Sequence, residues 1–174
     1  MKAWREVALG EVLKQDICYV SAPEPRLYPK LSVKLYGRGA VLDTPTDGGT
    51  VKMQKHQLAK PGQVILSEIW AKKGAIGIVP PEGNGALCTS HFFLFDVDET
   101  KACVGYIGWL LRGNFFEAQL DAEARGTTGY AAIRPKQFLA TSIPLPQMAE
   151  QQAIVARLDA LTEKPANSRR NWMP

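Results

Sequence analysis

Two short stretches bring together residue types that make or break bonds in other proteins. Ser90 and His91 place a hydroxyl beside an imidazole. Neighbours on a strand point to opposite faces, so this pair is not a nucleophile with its base. Asp96, Asp98 and Glu99 gather three carboxylates, a set with the oxygen donors of a cation site. Apolar residues at helical spacing follow, and acids ahead of a helix complement the positive end of its dipole, which is the expected role. Cys88 and His91 would need distant partners to hold zinc, because the other candidates are only Cys18, Cys103 and His56. With no Cys-x-x-Cys pair, reduced and buried thiols are expected. There is no Gly-x-Ser-x-Gly, no Gly-x-x-x-x-Gly-Lys-Ser/Thr, no Gly-x-Gly-x-x-Gly and no Asn-Pro-Pro-Tyr/Phe. The expectation is a chain that catalyses nothing and carries no metal or cofactor of its own.

Binding chemistry is better represented. Residues 25–75 hold nine Lys/Arg against Asp43, Asp47 and Glu68, whereas residues 76–133 are net acidic. The whole chain is +4 with a pI near 9.0. Such an uneven layout suits a phosphate-rich partner, or it is an ordinary solvated face. The turns carry Arg38, Lys52, Gln54, Lys55, Lys72, Lys73, Thr127, Thr128, Tyr130, Arg134 and Lys136. Lys and Arg neutralise phosphates, and Arg, Gln and Thr also read base edges in the major groove. Trp70, beside Lys72 and Lys73, reads either as an exposed stacking residue or as a core tryptophan.

The elements that must position these residues are short. Period-two alternation predicts a strand over residues 31–37, and buried strands are expected at 63–67, 75–79 and 91–95. Residues 43–49, with Pro45 and two glycines, read as a loop. From Lys101 the apolar spacing turns helical through Tyr106, Ile107, Leu110 and Leu111, with Gly113 as a break. Residues 143–146 must be extended, because proline fixes its own φ and disfavours helix before it. A last helix is expected from about Ala149 to Lys164, with Gln151, Ile154, Leu158 and Leu161 as its seam. The fold class is therefore α+β: a twisted, β-rich domain over residues 1–146, a helix over 147–164 and a disordered tail over 165–174. No stretch is long and apolar enough to cross a membrane, and charges at Lys2, Arg5 and Glu6 argue against a signal peptide. A cytoplasmic setting is expected.

Four segments in order resemble the DNA-specificity subunit of type I restriction–modification systems. They are Trp4 with Leu9-Gly10-Glu11-Val12; Leu58-Ala59-Lys60-Pro61-Gly62-Gln63-Val64-Ile65-Leu66-Ser67 with Gly74 and Gly77; Gly126-Thr127; and Ile143-Pro144-Leu145-Pro146 leading to Glu150-Gln151, Ile154-Val155 and Leu158. The family commonly has an acid where Gln63 stands. The resemblance covers residues 1–163 and implies one target-recognition domain binding half of a split site on duplex DNA, followed by a spacer and docking helix. S-adenosylmethionine, ATP and Mg would then belong to partner methyltransferase and motor subunits. Full-length members carry two such domains, so this chain resembles a half-subunit or a truncated form, and pairing of two copies through the last helix is one expectation. A second reading is an interaction or inhibitory module that docks on the methyltransferase without reading DNA.

Overall fold

A computed structural model describes residues 4–21, 23–52, 55–113, 115–123 and 132–162. In chain order the strands are β1 (Arg5–Ala8), β2 (Leu13–Asp16), β3 (Leu27–Val33), β4 (Ala40–Asp47), β5 (His56–Leu58), β6 (Val64–Ser67), β7 (Ile76–Ile78), β8 (Leu87–Thr89), β9 (Phe92–Val97) and β10 (Ser142–Leu145). The helices are α1 (Val104–Arg112), α2 (Glu117–Glu123), α3 (Pro135–Leu139) and α4 (Met148–Thr162).

The centre is an antiparallel sheet in the order β2-β9-β6-β7. The alternating side chains of its inner strands, β6 and β9, are mostly apolar on both faces. Val64, Leu66, Phe93 and Phe95 pack toward the helices with Tyr106, Ile107, Leu111, Leu120 and Phe138. Ile65 and Leu94 point the other way, into a second cluster with Leu31, Val79, Ala86 and Cys88. A sheet covered on both sides explains the near-continuous hydrophobic runs of β6 and β9. The second face is covered by the β3–β4 ribbon and the β5–β8 pair.

Several elements depart from the sequence reading. Residues 43–47 are not a loop but belong to β4, and the turn begins only at Gly48. Proline is tolerated there because β4 pairs only with β3. The register shifts between Tyr28 and Lys30, where Pro29 faces Thr44 and Pro45. Both prolines thus sit where the ladder is already interrupted. β5, three residues long, was not foreseen. Nor does the 96–99 carboxylate cluster cap a helix: α1 starts behind Cys103. Asp98 instead closes its own turn, accepting from the Thr100 amide and hydroxyl and pairing with Lys101 Nζ at 2.8 Å.

The first and last segments meet. β10 pairs antiparallel with β1, and Trp4 Nε1 donates to Glu150 Oε1 at 3.1 Å. α4 then lies along α1, running the same way: Gln151 bonds to Cys103, Val155 packs on Gly105, and Asp159 accepts from Trp109. Gly105 permits this approach, since a Cβ there would stand 3.0 Å from Val155 Cγ1.

Candidate nucleic-acid interface

All four strands of the central sheet end or begin at one rim. Pairing of Ser67 with Phe92, Asp16 with Leu94 and Leu66 with Ile76 puts the end of β6, the start of β9, the end of β2 and the start of β7 together. The segments leaving this rim carry most of the described basic candidates.

Beyond β6 the chain forms a 3-10 turn over Ala71–Lys73, closed by Gly74 in the left-handed conformation. Trp70 is exposed, and Lys73 Nζ sits 5.1 Å from its ring centre, a cation–π contact. Trp70 is therefore not a core tryptophan. The β3–β4 turn docks against this segment: the Tyr36 amide donates to the Lys73 carbonyl at 2.7 Å and the Gly37 amide to that of Gly74 at 3.0 Å. Arg38, in the same turn, is exposed and donates from Nε to the Leu35 carbonyl.

Glu68 ties a third segment in. Its carbonyl accepts from the Ile133 amide at 2.9 Å, and its carboxylate pairs with Arg134 Nη1 and, at 3.2 Å, His91 Nδ1. Arg134 is also fixed by its amide, which donates to Gln137 Oε1. Lys136, two residues on, is exposed. A fourth segment joins through the β8–β9 turn. His56 pairs with Thr89, so Lys55 stands opposite Ser90, next to His91, and its Nζ lies 5.9 Å from the exposed ring of Tyr19.

Arg38, Lys55, Trp70, Lys72, Lys73, Arg134 and Lys136 are thus arranged along connected segments at one rim. Lys52 is placed elsewhere: it follows the turn at Gly48–Thr50, at the opposite end of the ribbon from Arg38. Gln54, Thr127, Thr128 and Tyr130 lie outside the described residues. Glu68, His91, Tyr19 and Tyr36 were missed from sequence. Glu68 had a signal, being the one acid between Asp47 and Glu82 in a basic stretch.

Away from the rim, a part-buried polar network ties the end of β2 to the segment before β6. The Asp16 carboxylate accepts from Lys60 Nζ, Gln63 Nε2 and the Cys18 amide, each at 2.9 Å. Burial opposes its ionisation, but these bonds outweigh that and hold its pKa at about 2. Gln63 also donates to Asp96 at 2.8 Å and accepts from the Lys60 amide at 2.9 Å. One amide therefore sits between two carboxylates and donates to both.

Nothing described resembles a catalytic centre. A cleft of about 530 Å³ beside α1 and β7 has Arg38 and Arg112 as its only ionisable lining residues, so it pairs no base with a nucleophile. No group of three or more His, Cys, Asp or Glu that could hold a metal occurs among the described residues. Burial pushes the Cys88 thiol up to about 12, and His91 faces Glu68 instead. Cys18, expected to be buried, is exposed. No described helix is long and apolar enough to cross a membrane.

The seam expected on α4 is divided. Gln151 is fully buried: its Oε1 accepts from the Cys103 amide and its Nε2 donates to the carbonyls of Lys101 and Pro146. It is a structural bolt and not an interface residue. Ile154 packs on the domain's own core. Leu158 is half-buried, and Leu161 is 64% exposed.

The described residues thus form a twisted antiparallel sheet between helices and a β-ribbon, with basic side chains on the segments that leave one rim. The family of type I restriction modification DNA specificity domains matches residues 1–170, and the chain belongs to that family. Among solved structures, the HsdS subunit from Thermoanaerobacter tengcongensis is similar at 27% identity and a TM-score of 0.76, over 92% of this chain and 42% of that one. A chain from a structure concerned with complex assembly and conformational transition of the type I R-M system matches at 24% identity and a TM-score of 0.68, over 92% of this chain and 42% of that one. The type I S subunit from M. genitalium matches at 14% identity and a TM-score of 0.55, over 91% and 40%; these last two show the fold alone. The chain spans less than half the length of these subunits. No curated protein sequence matches it.

Proposed function

We propose that this chain is a non-catalytic, sequence-specific reader of duplex DNA that recognises one half-site for a type I restriction–modification complex. One observation carries the reading. Arg38, Lys55, Lys72, Lys73 and Arg134, remote in sequence, reach one rim through connected backbone segments. Phosphate contacts from the lysines would set register, and Arg134, held from two sides, is suited to a base edge. A single module covers roughly 600–1,000 Å², so binding alone is weak and salt-sensitive. S-adenosylmethionine, ATP and Mg belong to partner subunits in this scheme, and the setting is the cytoplasm. Residues 1–146 form the recognition domain and α4 the spacer. The outward stripe of Leu158 and Leu161 meets a methyltransferase subunit or the same helix of a second copy.

Binding to random duplex across a salt series, followed by selection of preferred sequences, tests this. The expected outcome is a steep salt slope and a selected consensus covering a few base pairs. The second reading, docking on a methyltransferase without DNA, wins if no duplex binds at low salt and Leu161→Asp alone abolishes activity.

A further inference from the structure

Tyr36 is the one described non-glycine residue at positive φ, +59°. For a bulky L-residue the left-handed region is disfavoured, and glycine or asparagine would adopt it more easily. The side chain does not repay this by packing, because Tyr36 is 65% exposed. Its backbone is firmly held. The amides of Tyr36 and Gly37 bond to the Lys73 and Gly74 carbonyls, and a Cβ on Gly37 would meet the Arg112 carbonyl oxygen at 2.7 Å. The turn is thus clamped between α1 and the 70–74 segment, and it presents an aromatic ring to solvent on a rigid mount. Strain retained at an exposed position, where a smaller residue would be more stable, points to a role outside the fold.

Its surroundings fix the partner's chemistry. The two docked segments, 34–39 and 70–74, contain Lys34, Arg38, Lys72 and Lys73 and no acid. Trp70, on the second segment, is the other exposed aromatic there. Cations beside exposed aromatics match a polyanion that also offers apolar contact, as thymine methyl groups do at base edges in the major groove of a duplex. Four cations on two joined segments that hold no acid favour a densely anionic partner over an ordinary mixed-charge protein surface.

We propose that Tyr36, with Trp70 on the adjoining segment, makes direct apolar contact with bases of the duplex, so that it determines specificity and not merely adhesion. This rests on the DNA-binding reading above, and the test separates the two. A base contact releases no counterions, whereas a lysine–phosphate contact does. In the full chain, Tyr36→Gly keeps the left-handed turn and removes only the ring. The probes are a duplex selected from a random pool by the parent protein and a random-sequence duplex. Tyr36→Gly should weaken binding to the selected duplex at least ten-fold and leave the random one within two-fold. The slope of log affinity against log salt should be unchanged and the Tm equal or higher. Lys72→Ala/Lys73→Ala should weaken both duplexes and flatten the slope. If Tyr36→Gly binds the selected duplex as the parent does while the lysine variant is weakened, the aromatic proposal falls and DNA binding stands. If the parent binds neither duplex at low salt, both fall.

Discussion

The Glu68 carboxylate holds Arg134 and His91 at once, and its own side chain is only 12% exposed while that of Arg134 is 65% exposed. A shielded anion thus aims an exposed guanidinium. Such a buttress favours a fixed bidentate geometry over loose phosphate attraction. Arg134→Ala should cost about 1–3 kcal/mol on the preferred duplex and relax discrimination at one position. Glu68→Gln should act oppositely on adhesion: with its counter-ion gone, Arg134 binds random duplex a few-fold more tightly at low salt, and the selected-to-random ratio falls. Parallel titrations of both duplexes measure this, and an unchanged ratio for both variants would remove Arg134 from the reading surface.

Lys72 and Lys73 stand on the 3-10 turn, and neither has a carboxylate partner within ion-pair distance among the described residues. Each is therefore free to neutralise a phosphate. Replacing both with alanine should lower the magnitude of the salt slope by about 2, since each phosphate contact contributes roughly 0.9 on B-DNA. The loss should be uniform across sequences. A change in sequence preference without a change in slope would assign these lysines to bases instead.

Asp16 predicts an acid limb of stability. Its pKa is about 2 in the fold against an ordinary 3.8, so the folded state favours the ionised form. That contribution, about 2 kcal/mol, is present above pH 4 and is lost as pH falls from 4 through 2. Urea unfolding between pH 7 and pH 2 should show it, and Asp16→Asn should flatten that limb. Gln63→Glu would set a third carboxylate between Asp16 and Asp96 and remove both donated bonds. A cost of roughly 2–4 kcal/mol at pH 7 is expected, shrinking toward pH 4 as the introduced carboxyl protonates. Equal stability of this variant and the parent at pH 7 would mean that the network does not bear on folding.

The central strands were legible because β6 and β9 carry near-continuous apolar runs, Val64–Leu66 and Phe92–Phe95, bounded by turn residues. Residues 143–146 were legible as extended chain because two prolines allow little else. β4 was not, because proline and acids in a strand mimic a loop unless its edge position and its partner are known. β5 was too short for any periodicity to show. At the rim, the lysines and arginines could be named individually, but their convergence depends on strand order, which no local pattern encodes. Glu68 showed only as a lone acid in a basic stretch, its long-range partners hidden, and Tyr36 was invisible because a backbone angle defines it. Gln151 was misread because helical spacing identifies a face without saying whether that face meets its own domain.

That misreading leads to a test of α4. Gln151, itself fully buried, satisfies three backbone groups, at Lys101, Cys103 and Pro146. Gln151→Leu keeps the bulk, removes all three bonds and strands a donor and two acceptors. About 2–4 kcal/mol of docking free energy should be lost. Because α4 follows β10 at the edge of the domain, the loss should appear first as faster amide exchange along Met148–Thr162, with β6 and β9 still protected. Leu161→Asp, on the exposed side, should change neither exchange nor unfolding of the isolated chain. If that variant also loses protection along α4, Leu161 is packed in solution against something, and sedimentation would show whether it is a second copy.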